Sequence, residues 1–173
     1  MGYIHDSGMV MFLQADTCRG YGGTWTNIVD DDFLYLQRSA SDAVSRLYIP
    51  IELPHQNTNT TRGVRISSID IWYTIATGAM DELTATLNLT TLLIGRTEAF
   101  EAADCEHLAF TYDTDHDLAI ERRALSSHKM TLTLDTALWL PGTKMLAVLL
   151  YMDNSATSVF QYFAARVNYT FRI

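Results

Sequence analysis

The chain has 173 residues, which fits one domain, because two domains sharing this length would each have a marginal core. Hydrophobic residues make up 48% and charged residues 18%, a balance that excludes a disordered polypeptide. The net charge of −8 argues against a nucleic-acid partner, since phosphates are bound by clustered lysine and arginine. No apolar run reaches the roughly 20 residues that span a membrane, and no secretory signal is recognisable.

The first segment, 1–22, is unlike the rest of the chain. It contains four glycines and an apolar run at 9–13 that includes Met9, Val10 and Phe12. Two structures are typical of this composition: an N-terminal arm that lies on a neighbouring subunit, and an ordinary first strand. We keep both alternatives for 1–22 and interpret 23–173 as a single β-sandwich domain.

Most of the remaining pattern has period two, the spacing at which successive side chains point to opposite faces of a sheet. Turn signals separate these runs, and long amphipathic helices are absent. This pattern predicts an all-β fold, an antiparallel, jelly-roll-like β-sandwich with at most short helical turns in its loops. The predicted strands are 46–53, 64–76, 83–90, 130–135, 144–152 and 159–173.

Two features of the predicted strand 64–76 need explanation. Its apolar residues change phase at Ser67 and Ser68, which predicts a β-bulge at that point. Trp72 is out of phase with its apolar neighbours Ile71 and Tyr73, so it faces the other side of the sheet. Three roles fit such a tryptophan: a subunit interface, a second core face, or a flat platform on which a sugar stacks.

An acidic stretch follows, with eight carboxylates and no lysine or arginine between Glu98 and Glu121. We expect a solvated surface excursion that needs no calcium to fold. Asp113, Asp115 and Asp117 are the only metal-ligand candidates, because alternate carboxylates can converge on a hard cation. The glycine and glutamate that an EF-hand requires are absent, so we assign no metal.

No catalytic motif withstands inspection, and we expect neither an enzyme nor a cofactor site. Ser126 and Lys129 match Ser-x-x-Lys in letters, but the partner motifs of that enzyme class are absent. Cys18 and Cys105 are far apart in sequence. Nothing indicates an oxidising compartment, so two free thiols are favoured over a disulfide.

The segment 145–152 is apolar on both faces, unlike a strand that leaves one face to water. Covering both faces requires two cores, long loops, or a core and a partner. We therefore expect a subunit interface. The residues proposed to form it are Met9, Val10, Phe12, Trp72, Leu146, Val148 and Leu150.

Three segments, 24–27 (TWTN), 69–73 (IDIWY) and 165–170 (ARVNYT), resemble segments of small β-sandwich structural proteins of tailed bacteriophages. The resemblance extends loosely over 24–173 and lies in strand texture, so no functional residue is carried over. It implies a virion component, either a capsid decoration or cement protein that stabilises the particle surface, or a tail or fibre subunit. Such proteins are often trimers.

From these observations we expect a non-enzymatic virion structural protein that self-associates, with a homotrimer favoured, and docks on a capsid or tail. It would be made in the cytoplasm of the host cell and reside in the virion. The alternative is a carbohydrate-binding or receptor-recognition β-sandwich module, whose partner would be a glycan. Neither function needs a cofactor, a nucleic acid or a membrane.

Overall fold

The computed structural model describes residues 6–30, 33–52, 64–91, 105–140 and 144–172. In these ranges every regular element is a strand, apart from a 3-10 turn at Ala15–Thr17 and the helix α1 at Ala119–Arg122. The strands are β1 Asp6–Gln14, β2 Arg19–Tyr21, β3 Trp25–Asp30, β4 Phe33–Arg38, β5 Ala43–Ile51, β6 Val64–Ala76, β7 Glu82–Thr91, β8 Cys105–Leu108, β9 Phe110–Tyr112, β10 Ser127–Leu140, β11 Lys144–Asn154 and β12 Val159–Arg172. Among the described residues, no helix is long and apolar enough to cross a membrane.

The strands form two sheets, and every pairing between neighbours is antiparallel. The large sheet has seven strands in the order β3–β4–β12–β6–β10–β9, with β1 also paired to β12. The small sheet has five strands in the order β2–β5–β11–β7–β8. The predicted antiparallel β-sandwich is therefore confirmed.

The core lies between the two sheets and is built by the predicted alternation. Along β11 the even-numbered side chains point inward, and Leu146, Val148 and Leu150 are at most 1% exposed. Their prediction as interface residues is wrong, because the large sheet already covers them. The opposite face of β11 is covered in part by its neighbours: Ala147 is buried and Leu149 is half-buried.

The predicted bulge in β6 is confirmed. Ser68 pairs with Asn168 and Ile66 pairs with Tyr169, which leaves Ser67 without an opposite residue on β12. The extra residue turns the strand by half a period. As a result Val64 and Ile66 point into the same core as the odd-numbered residues after the bulge, and both are fully buried.

The N-terminal segment corresponds to the first-strand alternative. β1 pairs with β12 of the same chain, from Asp6 opposite Arg172 to Gln14 opposite Ala164. A short second strand, β2, then joins the small sheet beside β5. Thus the described part of 1–22 contributes strands to both sheets of the sandwich.

The acidic stretch was predicted to be a solvated surface excursion, but its described part contains two short strands, β8 and β9. Its first part, up to 104, lies outside the described residues. β8 pairs with β7 in the small sheet and β9 pairs with β10 in the large sheet, so the chain crosses between sheets here. Its carboxylates at Glu106, Asp115 and Asp117 are exposed, as predicted. Cys105 and Cys18 are both free thiols, which confirms that prediction.

Candidate functional site

The outer face of the small sheet carries the side chains that alternate with its core residues. Across β2, β5, β11, β7 and β8 they fall into five rows set by the strand register. We call the three central rows the tyrosine face: Tyr21–Arg46–Tyr151–Thr84, Arg19–Tyr48–Leu149–Thr86 and Pro50–Ala147–Asn88–His107. The rows on either side of it are Val44–Asp153–Glu82 and Met145–Thr90–Cys105.

Three aromatic rings from three different strands share this face. Tyr21 is 54% exposed, and Tyr48 and Tyr151 are half-buried. Tyr21 and Tyr151 flank Arg46 in one row, two strand spacings or about 10 Å apart, and Tyr48 lies one row along. The rings thus form a triangle on a rigid sheet.

The tyrosines are surrounded by groups that donate or accept hydrogen bonds. Burial raises the pKa of the Tyr48 phenol, Tyr21 and Glu52 raise it further, and the nearby Arg19 charge opposes them. The phenol therefore keeps its proton at neutral pH and can donate. In the third row, the small buried Ala147 lies beside Asn88, whose side-chain oxygen is buried without a hydrogen-bond partner.

The remaining predicted interface residues lie on the large sheet. Met9, Val10 and Phe12 in β1 are 45%, 54% and 60% exposed. Trp72 is half-buried on the outer face, with its ring centre 6.3 Å from that of Phe12. Val10 is on the same face, whereas Met9 is opposite the buried Tyr169 and lies on the other face of β1. The structure thus brings Phe12 and Trp72 together and separates the predicted residues of the large sheet from the core residues of β11.

Trp72 does not present an open ring to solvent. The Arg166 guanidinium and the Lys129 amine lie over it, at 5.5 and 5.8 Å from the ring centre. These cations also approach Asp70, which lies on the same face of β6. The arrangement is typical of a packed aromatic–cation cluster, and it makes Trp72 a poorer sugar platform than the tyrosines.

Asp70 is only 2% exposed and anchors that cluster. Arg166 donates to its carboxylate at 2.5 and 2.8 Å, Thr131 at 2.7 Å and Asn168 at 3.2 Å. Burial by itself would raise the pKa of this carboxyl group. The hydrogen bonds and the Lys129 charge outweigh burial and lower the pKa below its ordinary value.

The structure does not bring the three candidate aspartates together. Asp113 accepts hydrogen bonds from the backbone N–H groups of Asp115 and Thr131 and lies 2.7 Å from His116 Nδ1. The side chains of Asp115 and Asp117 are exposed to solvent. Within the described ranges no group of three His, Cys, Asp or Glu side chains could hold a metal ion.

Asp113 instead begins a hydrogen-bonded chain at the edge of an open cleft of about 680 Å³. His116 Nε2 lies 3.2 Å from His128 Nδ1, and His128 Nε2 lies 2.9 Å from the Ala124 carbonyl oxygen. Burial lowers the pKa of the His128 imidazole, the hydrogen bond to the Ala124 carbonyl opposes that shift, and the neighbouring His116 lowers the pKa further. This chain ties the turn before β10 to the sheet.

Sequence reasoning missed the tyrosine face as a unit. The alternation of 46–53 does put Arg46 and Tyr48 on one outward face. Tyr21 could not be added, because β2 has only three residues and shows no alternation. Tyr151 was assigned to an apolar run, and only the register of β11 against β5 shows that it lies beside Arg46.

Comparison with known proteins finds no matching family model and no matching curated protein sequence. Solved structures do match along most of the chain. A low-affinity xylan-binding module, CBM86, from Roseburia intestinalis is 11% identical, with 92% of this chain and 94% of that chain covered and a TM-score of 0.35. A family 29 carbohydrate-binding module from Piromyces equi is 12% identical, with coverage of 93% and 91% and a TM-score of 0.40.

A third structure is the enzymatically active domain of tailspike protein 4 from bacteriophage CBA120. It is 8% identical, with 92% of this chain but 19% of that chain covered, and the TM-score is 0.35. At such identities the likeness concerns the fold alone. No residue of the tyrosine face is carried over from any of these proteins.

Proposed function

We propose that this chain is a non-enzymatic carbohydrate-binding module and that the tyrosine face is its binding surface. One observation carries the proposal. Tyr21, Tyr48 and Tyr151 project from the same outer face of one sheet, with polar side chains between them. This reverses the order of our expectations from the sequence, in which the glycan-binding module was the alternative to a virion structural protein.

The side chains of the face are better suited to contact a sugar ligand than to be buried in a protein core. A pyranose has an apolar C–H face that packs on an aromatic ring and a rim of hydroxyls that need hydrogen-bond partners. Tyrosine offers both in one side chain, and Asn88, Thr84 and Thr86 add fixed polar groups. Because these residues stand on strands, the surface is preorganised and binding orders few side chains.

Replacement of single tyrosines of this face by alanine tests the proposal. We expect Tyr48→Ala and Tyr151→Ala each to weaken binding to the glycan selected on an array by about tenfold, or ~1.4 kcal/mol. Tyr35→Ala is the matched control: Tyr35 is also half-buried, but lies on the large sheet against Phe163, with ring centres 5.4 Å apart. Equal loss in the control and the test variants, or an array without a binder, would contradict the proposal.

A second function, a self-associating virion subunit, is favoured by one specific observation. Among the described strands β1 pairs only with β12. Its other edge is free in this part of the chain, and three of its apolar side chains are exposed: Met9, Val10 and Phe12. An apolar edge strand is a template for pairing with another chain. This reading proposes a homotrimer docked on a capsid or tail.

Sedimentation velocity decides whether the chain associates. The virion proposal expects a species near three times the 19.5 kDa chain at tens of micromolar, and dissociation to one chain in Phe12→Ser. A single species near 19.5 kDa would remove its support. Detection of the chain in purified particles would test its location.

A further inference from the structure

The tyrosine face differs in charge from the molecule that carries it. The whole chain has 20 acidic residues and 12 lysines and arginines. In contrast, the twelve residues of the tyrosine face include two arginines, Arg19 and Arg46, whereas the neighbouring row of the same outer face carries Asp153 and Glu82. The positive charge is therefore confined to the two arginines beside the tyrosines, where an anionic group would be held by direct pairing with a guanidinium.

Among the described residues, none accepts a hydrogen bond from the guanidinium groups of the two arginines. Both are exposed, and neither makes a hydrogen bond or an ion pair within the part of the chain that the structure describes. Arg46 only lies over the Tyr151 ring, at 6.0 Å from its centre. By comparison, Arg122 donates to three backbone carbonyls, and Arg166 is paired with Asp70.

The register puts both arginines next to the three tyrosines. Arg19 is directly opposite Tyr48, and Arg46 is directly opposite Tyr21. The arginines are therefore diagonal neighbours on adjacent strands, about 7–8 Å apart. A planar guanidinium matches the two oxygens of a carboxylate in a bidentate pair, and desolvation against tyrosine rings strengthens that pair.

We infer that the tyrosine face selects sugars that carry a carboxylate, as in polysaccharides built from uronic acids. The sugar ring packs on Tyr48 while its carboxylate accepts hydrogen bonds from Arg19 or Arg46. This inference rests on the proposed carbohydrate-binding function and adds the chemical class of the ligand. It needs no metal ion and no movement of the sheet.

The test compares acids with their own neutral forms. Oligomers of galacturonate, glucuronate and mannuronate are each titrated beside the corresponding methyl ester by calorimetry. We expect at least one acid to bind tenfold or more tightly than its ester, with the difference shrinking as salt is raised. Arg19→Gln and Arg46→Gln should each reduce this ratio severalfold. Arg65→Gln, an exposed arginine on the large sheet, should leave it unchanged.

The outcomes separate this inference from the proposed function. Esters or neutral oligosaccharides that bind as tightly as the acids would overturn the inference and leave the carbohydrate-binding proposal standing. An acid preference that survives in the double variant of Arg19 and Arg46 would also overturn it. If no glycan of any kind binds, both proposals fail.

Discussion

Trp25 is held by a contact that only glycine permits. Its indole N–H donates to the Gly22 carbonyl at 2.8 Å, and its ring packs edge-on against Phe160. A Cβ atom built on Gly20 would lie 2.2 Å from the Trp25 ring. Gly20 therefore has a packing reason, which composition alone could not show.

Replacing this glycine should be costly. We expect Gly20→Ala to lower the free energy of unfolding by about 1–3 kcal/mol, because the added methyl group overpacks the indole. Gly8→Ala is the control, since no atom lies within 4 Å of a Cβ built there. Urea denaturation measures both variants. Equal stability of the two would show that Trp25 can move away freely.

The buried carboxylate of Asp70 should make the stability of the fold depend on pH. Its pKa is lowered in the folded protein, so its stabilisation is present above the ordinary value of 3.8 and is lost as the pH falls below it. We expect Asp70→Asn to lose about 1.5–3 kcal/mol at neutral pH and to show a flatter decline in stability between pH 5 and 2. The exposed Asp42→Asn should behave like the unmodified protein.

The bulge in β6 shows how one residue sets the phase of a strand. Ser68 points outward and Ile66 inward, with Ser67 between them. Deletion of Ser67 therefore keeps Val64 and Ile66 facing the core. Insertion of one more serine also leaves an even number of steps between Ile66 and Ile69, but it turns a serine toward the core and shifts the pairing of Ile66 with β12 by two residues.

These two changes should differ in cost. We expect the insertion to cost about 1–3 kcal/mol, because a serine hydroxyl enters the core without a hydrogen-bond partner. The deletion should cost less, since it leaves a regular strand with the same side chains in the core. Thermal unfolding of both variants measures the difference. A deletion as damaging as the insertion would mean that the sheet needs the bend of the bulge.

Long strands were predictable from sequence and short ones were not. β6, β7 and β12 match their predicted ranges within a residue or two, because each has one continuous buried face. β2, β3, β4, β8 and β9 have three to six residues and lie at or near sheet edges. Their side chains are largely exposed or half-buried, so little alternation marks them.

At the scale of the whole molecule, the same limit applies to the site. The tyrosine face combines residues from separate strands, and its geometry depends on register between them. Register is nonlocal, so a single strand pattern shows that Tyr48 points outward but not that Tyr21 and Tyr151 lie near it. The apolar run of β11 indicated a partner surface, whereas half of it fills the chain's own core.

Glycan binding on the outer face of the small sheet can be located by amide chemical-shift mapping with NMR, using a glycan selected on an array. We expect the perturbed amides to cluster on β2, β5, β11 and β7 around Tyr48, and the amides of β6 and β12 near Trp72 to be unchanged. Perturbations centred on Trp72 and Phe12 would contradict it, because they would put the site on the opposite sheet.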